Sequence, residues 1–431
     1  MSKYPEYSHV KSREWFERAL NVIPSGIYGH LGPSEGLFLP LDKWPLISSK
    51  ASGTYFWDMD GNKYIDMMCA YVIRAADSDT LAKFNKLSAS KRNYIMEQLK
   101  NGNCTTAPSY KMVECAELLV DTVASADWAY FMKNGTDATT FAVMCARAHT
   151  KRKKTIFFKG YYHGNDPWAM KADYPGILPE DVANNIIVPW FDMEALQKAV
   201  DDNNGDIAAL IAQPYDHGNF YDNVCSTSEK WQAVRKFCDD NGIVLIFDDV
   251  RTGFRLDLAG SDHYYGIKAD IICFCKALAN GYNMSAACGQ EFLKTAASSL
   301  SFTGSYWMSA VPFAACIACI DKMKRLNTPK LFREKGEKLT SAFKKAAAEN
   351  GFDLVVSGEP ALFYLRIAND NSLMLHQEWV AECVSRGLFL ASHHNHFINA
   401  ALSDEDIALA ADIANDAFSV VAARHPDKLN K

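Results

Sequence analysis

Residues 243–289 constrain the fold of this chain more than any other stretch. They open on the apolar run 243–247, which is too short for a helix and rich in β-branched residues, a pattern that predicts a strand buried on both faces. The run ends in two carboxylates, Asp248 and Asp249, followed by Thr252-Gly253. A second apolar run, 271–274, then leads to Lys276. Acids and amines at the ends of core strands are costly to bury without partners. Ligands of open α/β sheets bind beyond the carboxyl ends of the strands. Asp248 and Lys276 are therefore expected to face one pocket, either as a structural ion pair or as the poles of a binding site.

Similar short apolar runs begin near Trp128, Thr155, Ile186, Ala208 and Ala286, about seven strands in all with the two above. Helical spacing between them, at 109–124, about 138–149 and 231–241, predicts a mostly parallel sheet with helices on its faces. A hairpin is expected around Asp60-Gly61-Asn62, a helix at 13–23, and a C-terminal lobe from a helix at 314–327, strands at 353–356 and 361–367, and a last helix capped by Ser403.

At 431 residues the chain has room for two or three domains or one large α/β unit. The formal net charge of −6, without a basic block or an acidic tail, excludes a nucleic-acid partner from the expectation. The N-terminus is polar, and no run of 18 apolar residues occurs, so no membrane span is expected and a cytoplasmic location is. The twelve cysteines lack paired spacing and read as free, buried thiols.

Several turns add chemistry. Lys133-Asn134-Gly135-Thr136-Asp137 stands between a strand and a helix, where free backbone N–H groups make an anion site; an ordinary N-cap at Thr136 or Asp137 is the alternative. The strand after it delivers Gly160-Tyr161-Tyr162-His163-Gly164. Ser392-His393-His394-Asn395-His396 reads as a substrate-facing loop, a solvated loop or a metal site; without companion ligands at recognisable spacing, no metal is expected. The Asp248–Lys276 pair fits pyridoxal 5'-phosphate (PLP). That cofactor needs a lysine amine for a Schiff base and a carboxylate to keep its pyridine nitrogen protonated.

Phe247-Asp248-Asp249-Val250, Thr252-Gly253-Phe254-Arg255, Ala269-Asp270-Ile271 and Lys276 resemble the class III aminotransferases, in particular glutamate-1-semialdehyde aminomutase and its relatives. The resemblance runs from about Trp15 to the C-terminal region, although the family usually has Glu at the position of Asp249. It implies a fold type I PLP-dependent transferase, an α/β protein. A large domain (71–315) with a mostly parallel seven-stranded sheet would carry a small α+β domain built from both termini (1–70 and 316–431).

The resemblance also implies site roles. Lys276 would hold the cofactor and Asp248 its ring nitrogen. Asn134, Gly135 and Thr136 would form the phosphate cup, Tyr162 would stack on the ring beside His163 and Val250, and Gln213 stands where the family has the Glu of Glu-Pro. In the family a threonine about five residues before a proline reaches the phosphate of the other subunit. Before Pro312 that spacing falls on Trp307, which leaves Thr303, Gly304 and Ser305 as candidate donors across a homodimer interface. Substrate candidates are Tyr28, His30, Tyr71, Arg74 and His394; the aminomutases' N-terminal carboxylate-binding arginine has no counterpart in 27–31. The segment 165–190 is shorter than the closing segment of the aminomutases and holds Pro167, Pro175 and Pro179. An open site of this kind is expected to run ping-pong transamination between an amine or non-α amino acid and a keto acid. An aminomutase or racemase, or a non-catalytic PLP-binding descendant, are the alternatives.

Overall fold

A computed structural model describes residues 2–23, 40–68, 94–103 and 107–429; Tyr28, His30, Tyr71 and Arg74 lie outside them. Near the N-terminus, Ser48–Ser52 (β1), Tyr55–Asp58 (β2) and Lys63–Asp66 (β3) form an antiparallel meander. The β2–β3 hairpin follows the expected turn: the Asp58 carboxylate accepts the N–H groups of Asp60 and Asn62 at 3.0 and 2.9 Å, and Gly61 takes φ +89°. Strand β1 carries no signal in the sequence because all five of its residues are exposed. The first helix, Val10–Leu20, starts earlier than its apolar spacing suggests. The Asp60 carboxylate reaches over from the hairpin and accepts the N–H groups of Lys11 and Ser12, both at 2.8 Å, which satisfies the helix start.

The central sheet consists of Trp128–Met132 (β4), Lys154–Phe158 (β5), Asn185–Val188 (β6), Ile207–Ala212 (β7), Val244–Asp248 (β8), Ile271–Phe274 (β9) and Ser285–Gly289 (β10). Their order is β4-β10-β9-β8-β7-β5-β6. Only β10 runs against its neighbours; it is antiparallel to both β4 and β9, while the pairs among β5 to β9 are parallel. Strands β7, β8 and β9 are buried at every residue, as their unbroken apolar runs require. The six strands of common direction thus deliver their carboxyl ends, and β10 its amino end, to one edge of the sheet.

The helix Ala310–Leu326 packs against the helix Tyr110–Thr122 and runs through the expected junction at 315/316. Beyond it, Leu354–Glu359 (β11) and Leu362–Ile367 (β12) pair antiparallel, Leu388–Phe389 (β13) joins β3 in parallel, and His396–Phe397 (β14) pairs with β12. The two termini therefore share one sheet. The helices Thr328–Glu349 and Met374–Val384 add to the expected elements; the first is rich in Lys and Glu on its outer face and buries a stripe through Phe332, Gly336, Leu339, Phe343 and Ala347. Ser403 caps the last helix, accepting the Asp406 N–H at 3.1 Å.

The histidine segment is not a solvated loop: His393, His394 and His396 are all buried, because the 216–224 loop, strand β12 and the helix Met374–Val384 surround it. Among the described residues no cluster of three His, Cys, Asp or Glu side chains is placed to hold a metal, and no helix is long and apolar enough to cross a membrane. The ten described cysteines are unbridged, eight of them buried, with Cys225 exposed and Cys275 half-buried.

Candidate active site

Strand ends converge on a cavity of about 370 Å³ at the sheet edge. From β4 come Lys133, Asn134, Gly135 and Thr136, from β5 Tyr162, His163, Gly164 and Asn165, from β7 Gln213, from β8 Asp248, Val250 and Arg251, from β9 Cys275 and Lys276, and from the approach to β10 residues 281–284. Nine sequence-predicted residues (Asn134, Gly135, Thr136, Tyr162, His163, Gln213, Asp248, Val250 and Lys276) are brought together there.

Alternation along a strand separates the two acids. The Asp248 side chain faces the cavity, where its Oδ2 accepts from His163 Nδ1 at 2.7 Å and its Oδ1 from the Val250 N–H at 3.2 Å. Asp249 turns into the protein and accepts from Thr252 Oγ1, Ser261 Oγ and Ser261 N at 2.6, 2.5 and 3.0 Å. Burial pushes the Asp249 carboxyl up to about 7. Lys276 stands two residues beyond the end of β9 at φ +22°, outside the comfortable backbone regions. Burial, and then the Arg251 guanidinium, push its amine down to about 8. An amine so tuned is partly neutral near neutral pH and is a usable nucleophile.

The helix Gly135–Thr150 points its N-terminus into the cavity. Its N-cap is Asn134, not Thr136 or Asp137 as the alternative reading had it; the Asp137 carboxylate accepts the N–H of Asn134 at 2.8 Å and of Lys133 at 3.1 Å. That leaves the Gly135 and Thr136 N–H groups for an anion. Thr139 Oγ1 donates to the His163 carbonyl at 2.6 Å and fastens this helix start to the Tyr162-His163 turn.

The residues fit PLP. A Cβ on Gly135 would lie 2.9 Å from Val250 Cγ1, and one on Gly164 would lie 2.8 Å from Thr136 Cα, so the cradle admits no side chain at either place. The buried Nε2 of His163 has no hydrogen-bond partner among the described residues. Gly135 and Thr136 could hold the phosphate, Val250 and Tyr162 the ring faces, Asp248 the ring nitrogen and Lys276 the aldehyde carbon. Tyr162 is half exposed, its hydroxyl donating to Asn165 Oδ1 at 3.0 Å.

The other candidates lie elsewhere. Ser305 lines a neighbouring recess with Lys133, Asn134, Tyr282 and Tyr306, and Gly304 packs beneath the Trp307 indole. Thr303 lines neither space. His394 is buried, with Nδ1 at 2.9 Å from the Asn395 carbonyl, and the loop touches the cavity lining indirectly, Asn395 Oδ1 accepting from Arg251 Nη1 at 3.3 Å. Sequence reasoning passed over Arg251 and Lys133. Both are cations within a residue of a recognised turn, and that position was a usable signal.

The fold and the cavity together define a fold type I PLP enzyme. The family model for class III aminotransferases matches residues 40–417, and the chain belongs to that family. It is 34% identical over 417 residues to an aminopentol aminotransferase of Sphingopyxis macrogoltabida, covering 96% of this chain and 94% of the relative. It is 29% identical over 444 residues to a glutamate-1-semialdehyde 2,1-aminomutase of Desulforamulus reducens, covering 96% and 99%. The solved structure of the PLP-bound FumI protein of Sphingopyxis sp. MTA144 superposes with a TM-score of 0.88 at 34% identity, over 97% of this chain and 98% of that one.

Proposed function

We propose that this PLP-dependent class III aminotransferase moves an amino group from an amine or non-α amino acid to a keto acid by a ping-pong cycle. The observation that carries the proposal is the convergence of Lys276, Asp248 with its His163 partner, and the Gly135-Thr136 helix start on one cavity. When bound, PLP supplies an electron sink for charge developing on the substrate carbon. Lys276 Nζ, depressed toward neutrality, would take a proton from that carbon and hand it on to the cofactor. His163 Nδ1 donates to Asp248 and holds the carboxylate oriented toward the ring position. Gln213, in place of a carboxylate, leaves the substrate side less acidic.

The name of the 34% identical relative specifies an amino alcohol donor, which favours transfer and a donor that is not an α-amino acid. An intramolecular aminomutase is the second reading, favoured by the relative of that name. The test incubates the PLP-loaded protein with a panel of amines and no acceptor. Stoichiometric conversion of the cofactor to its pyridoxamine form is expected; sustained isomerisation of one substrate over many turnovers would overturn the transferase reading.

We further propose a homodimer with sites at the interface. Support comes from the exposed Tyr306 beside a recess that continues from the phosphate end of the cavity through Lys133 and Asn134. A fully active monomer in sedimentation under assay conditions would rule it out.

A further inference from the structure

The charged lining of the cavity leaves one cation to assign. It includes three cations, Lys133, Lys276 and Arg251, but one acid, Asp248, which is already paired with His163. The phosphate cup lies next to Lys133 in the chain, and Lys276 serves the reaction. Arg251 is left without an assigned task.

Arg251 is held, but not neutralised. Its Nη1 donates to Asn395 Oδ1 at 3.3 Å, and among the described residues no carboxylate pairs with it. A guanidinium carries five donors in a planar fork suited to a carboxylate, and one bond to a neutral amide leaves most of that capacity unspent. Its field reaches the reacting amine, since it depresses Lys276.

A buried amide relay fixes its position. Asn395 Nδ2 donates to Asn223 Oδ1 at 2.8 Å, which also accepts the Gly218 N–H at 2.9 Å. Asn223 in turn donates its N–H to Ser357 Oγ at 3.0 Å and its Nδ2 to the Ser357 carbonyl at 3.2 Å. The relay ends on β11 of the small domain, and Gly358 there has no room for a Cβ, which would sit 2.3 Å from Asn223 Nδ2.

We propose that Arg251 anchors the carboxylate of the keto acid acceptor and that Asn395 and Asn223 are its positioning residues. This rests on the transamination reading. An acceptor of that class carries a carboxylate next to its carbonyl, whereas an amino alcohol donor carries none, so a cation serving the two in turn must be stable when unpaired. A neutral amide partner provides that.

The test follows cofactor absorbance in single turnovers of each half-reaction, with a carboxylate-free primary amine as donor and pyruvate as acceptor. In Arg251→Met the apparent Kd for pyruvate is expected to rise tenfold or more beyond any change in the Kd for the amine. Asn395→Asp is the sharper variant. It keeps an acceptor for Arg251 and supplies an internal carboxylate, while losing the Nδ2 donor to Asn223, so pyruvate should weaken again; a merely structural role for Asn395 would leave the ratio of the two constants unchanged. Equal changes in both half-reactions, or unaltered pyruvate affinity, overturn the proposal. A shift in the pH titration of holoenzyme absorbance without substrate, at constant pyruvate affinity, also overturns it by assigning Arg251 to the cofactor's phenolate. If the wild-type amine half-reaction does not occur, transamination itself fails. Arg251 is then judged by propionate binding to the holoprotein: tenfold weakening in Arg251→Met supports the anchor, and equal binding overturns it.

Discussion

The two sides of the cavity are built differently. On the sheet side, Asp248 and Lys276 stand at the ends of strands that are buried at every residue, and the Gly135–Thr150 helix start is tied to the neighbouring turn by Thr139. On the loop side, Arg251 is held by Asn395, 144 positions later in the chain, and Asn395 by Asn223, 172 positions earlier. The sheet side is positioned by a core that strand periodicity already encodes. The loop side is positioned by single hydrogen bonds between distant segments. Chemistry common to the family can reside on the first, and the choice of substrate on the second.

The largest effect expected on the sheet side is that of Lys276→Ala. It should abolish turnover and the borohydride-reducible PLP adduct. The cavity contains a rival amine, Lys133, which burial also pushes down to about 8. Recovery of the adduct at Lys133 in the variant, by peptide mapping, would break the assignment.

Next in size is the contrast between the adjacent acids. Asp248→Asn should retain PLP but lower the rate about a thousandfold, since the charge facing the ring nitrogen is lost. Asp249→Asn should instead lower stability by about 1–3 kcal/mol, because three buried donors share its carboxylate. Denaturant midpoints and single-turnover rates measured on both variants separate the two. Similar losses of rate in both would contradict the alternation of the strand.

The loop side should weaken first in mild acid. His376 and His396 are fully buried, and burial pushes them down to about 4 and about 3. Both stay neutral in the folded protein while the unfolded chain binds their protons below about 6.5. Their contribution is therefore complete above pH 6.5 and falls as the pH drops toward 4. The slope is about 1.4 kcal/mol per unit for each histidine, or roughly 2.8 for both. Proton uptake by Asp249, whose carboxyl is raised to about 7, opposes this slope in the whole protein. Urea midpoints at pH 7.5, 6.5 and 5.5 should therefore be compared between wild type and His376→Gln, where the variant should lose less stability on acidification. An equal pH dependence of the two would remove His376 from the account.

The same contrast explains what was legible in the sequence. The seven strands, the Asp248–Lys276 pairing and the Gly135-Thr136 helix start follow from apolar runs and from the charges that end them. Strand β1 was not legible because its exposed residues carry no alternation; the Thr328–Glu349 helix, by contrast, is legible in the spacing of Phe332, Leu339, Phe343 and Ala347. The Arg251–Asn395–Asn223 relay has no local pattern at all, since its members meet only in the fold. His394 belongs to a histidine cluster that is conspicuous in the sequence, yet it is Asn395 of that loop that bonds to the cavity residue Arg251.

Gly164 lies on the sheet side and offers the smallest test of how closely that wall is packed. It takes φ +118°, which L side chains rarely adopt, and a Cβ there would sit 2.6 Å from Thr136 Oγ1 and 2.8 Å from Thr136 Cα. The second contact is with backbone, so a rotamer change cannot relieve it. Thr136 Oγ1 also accepts the Asn165 N–H at 3.1 Å, so moving the turn outward strains the bond that holds the cradle together. In Gly164→Ala the turn should lift from the helix start at a cost of about 1–2 kcal/mol, felt chiefly at the phosphate end. The expected result is a roughly tenfold weaker PLP Kd, with the borohydride-reducible adduct at Lys276 still formed at saturating cofactor. Unchanged PLP affinity would mean that the sheet side is as adaptable as the loop side, and the contrast between the two walls would fail.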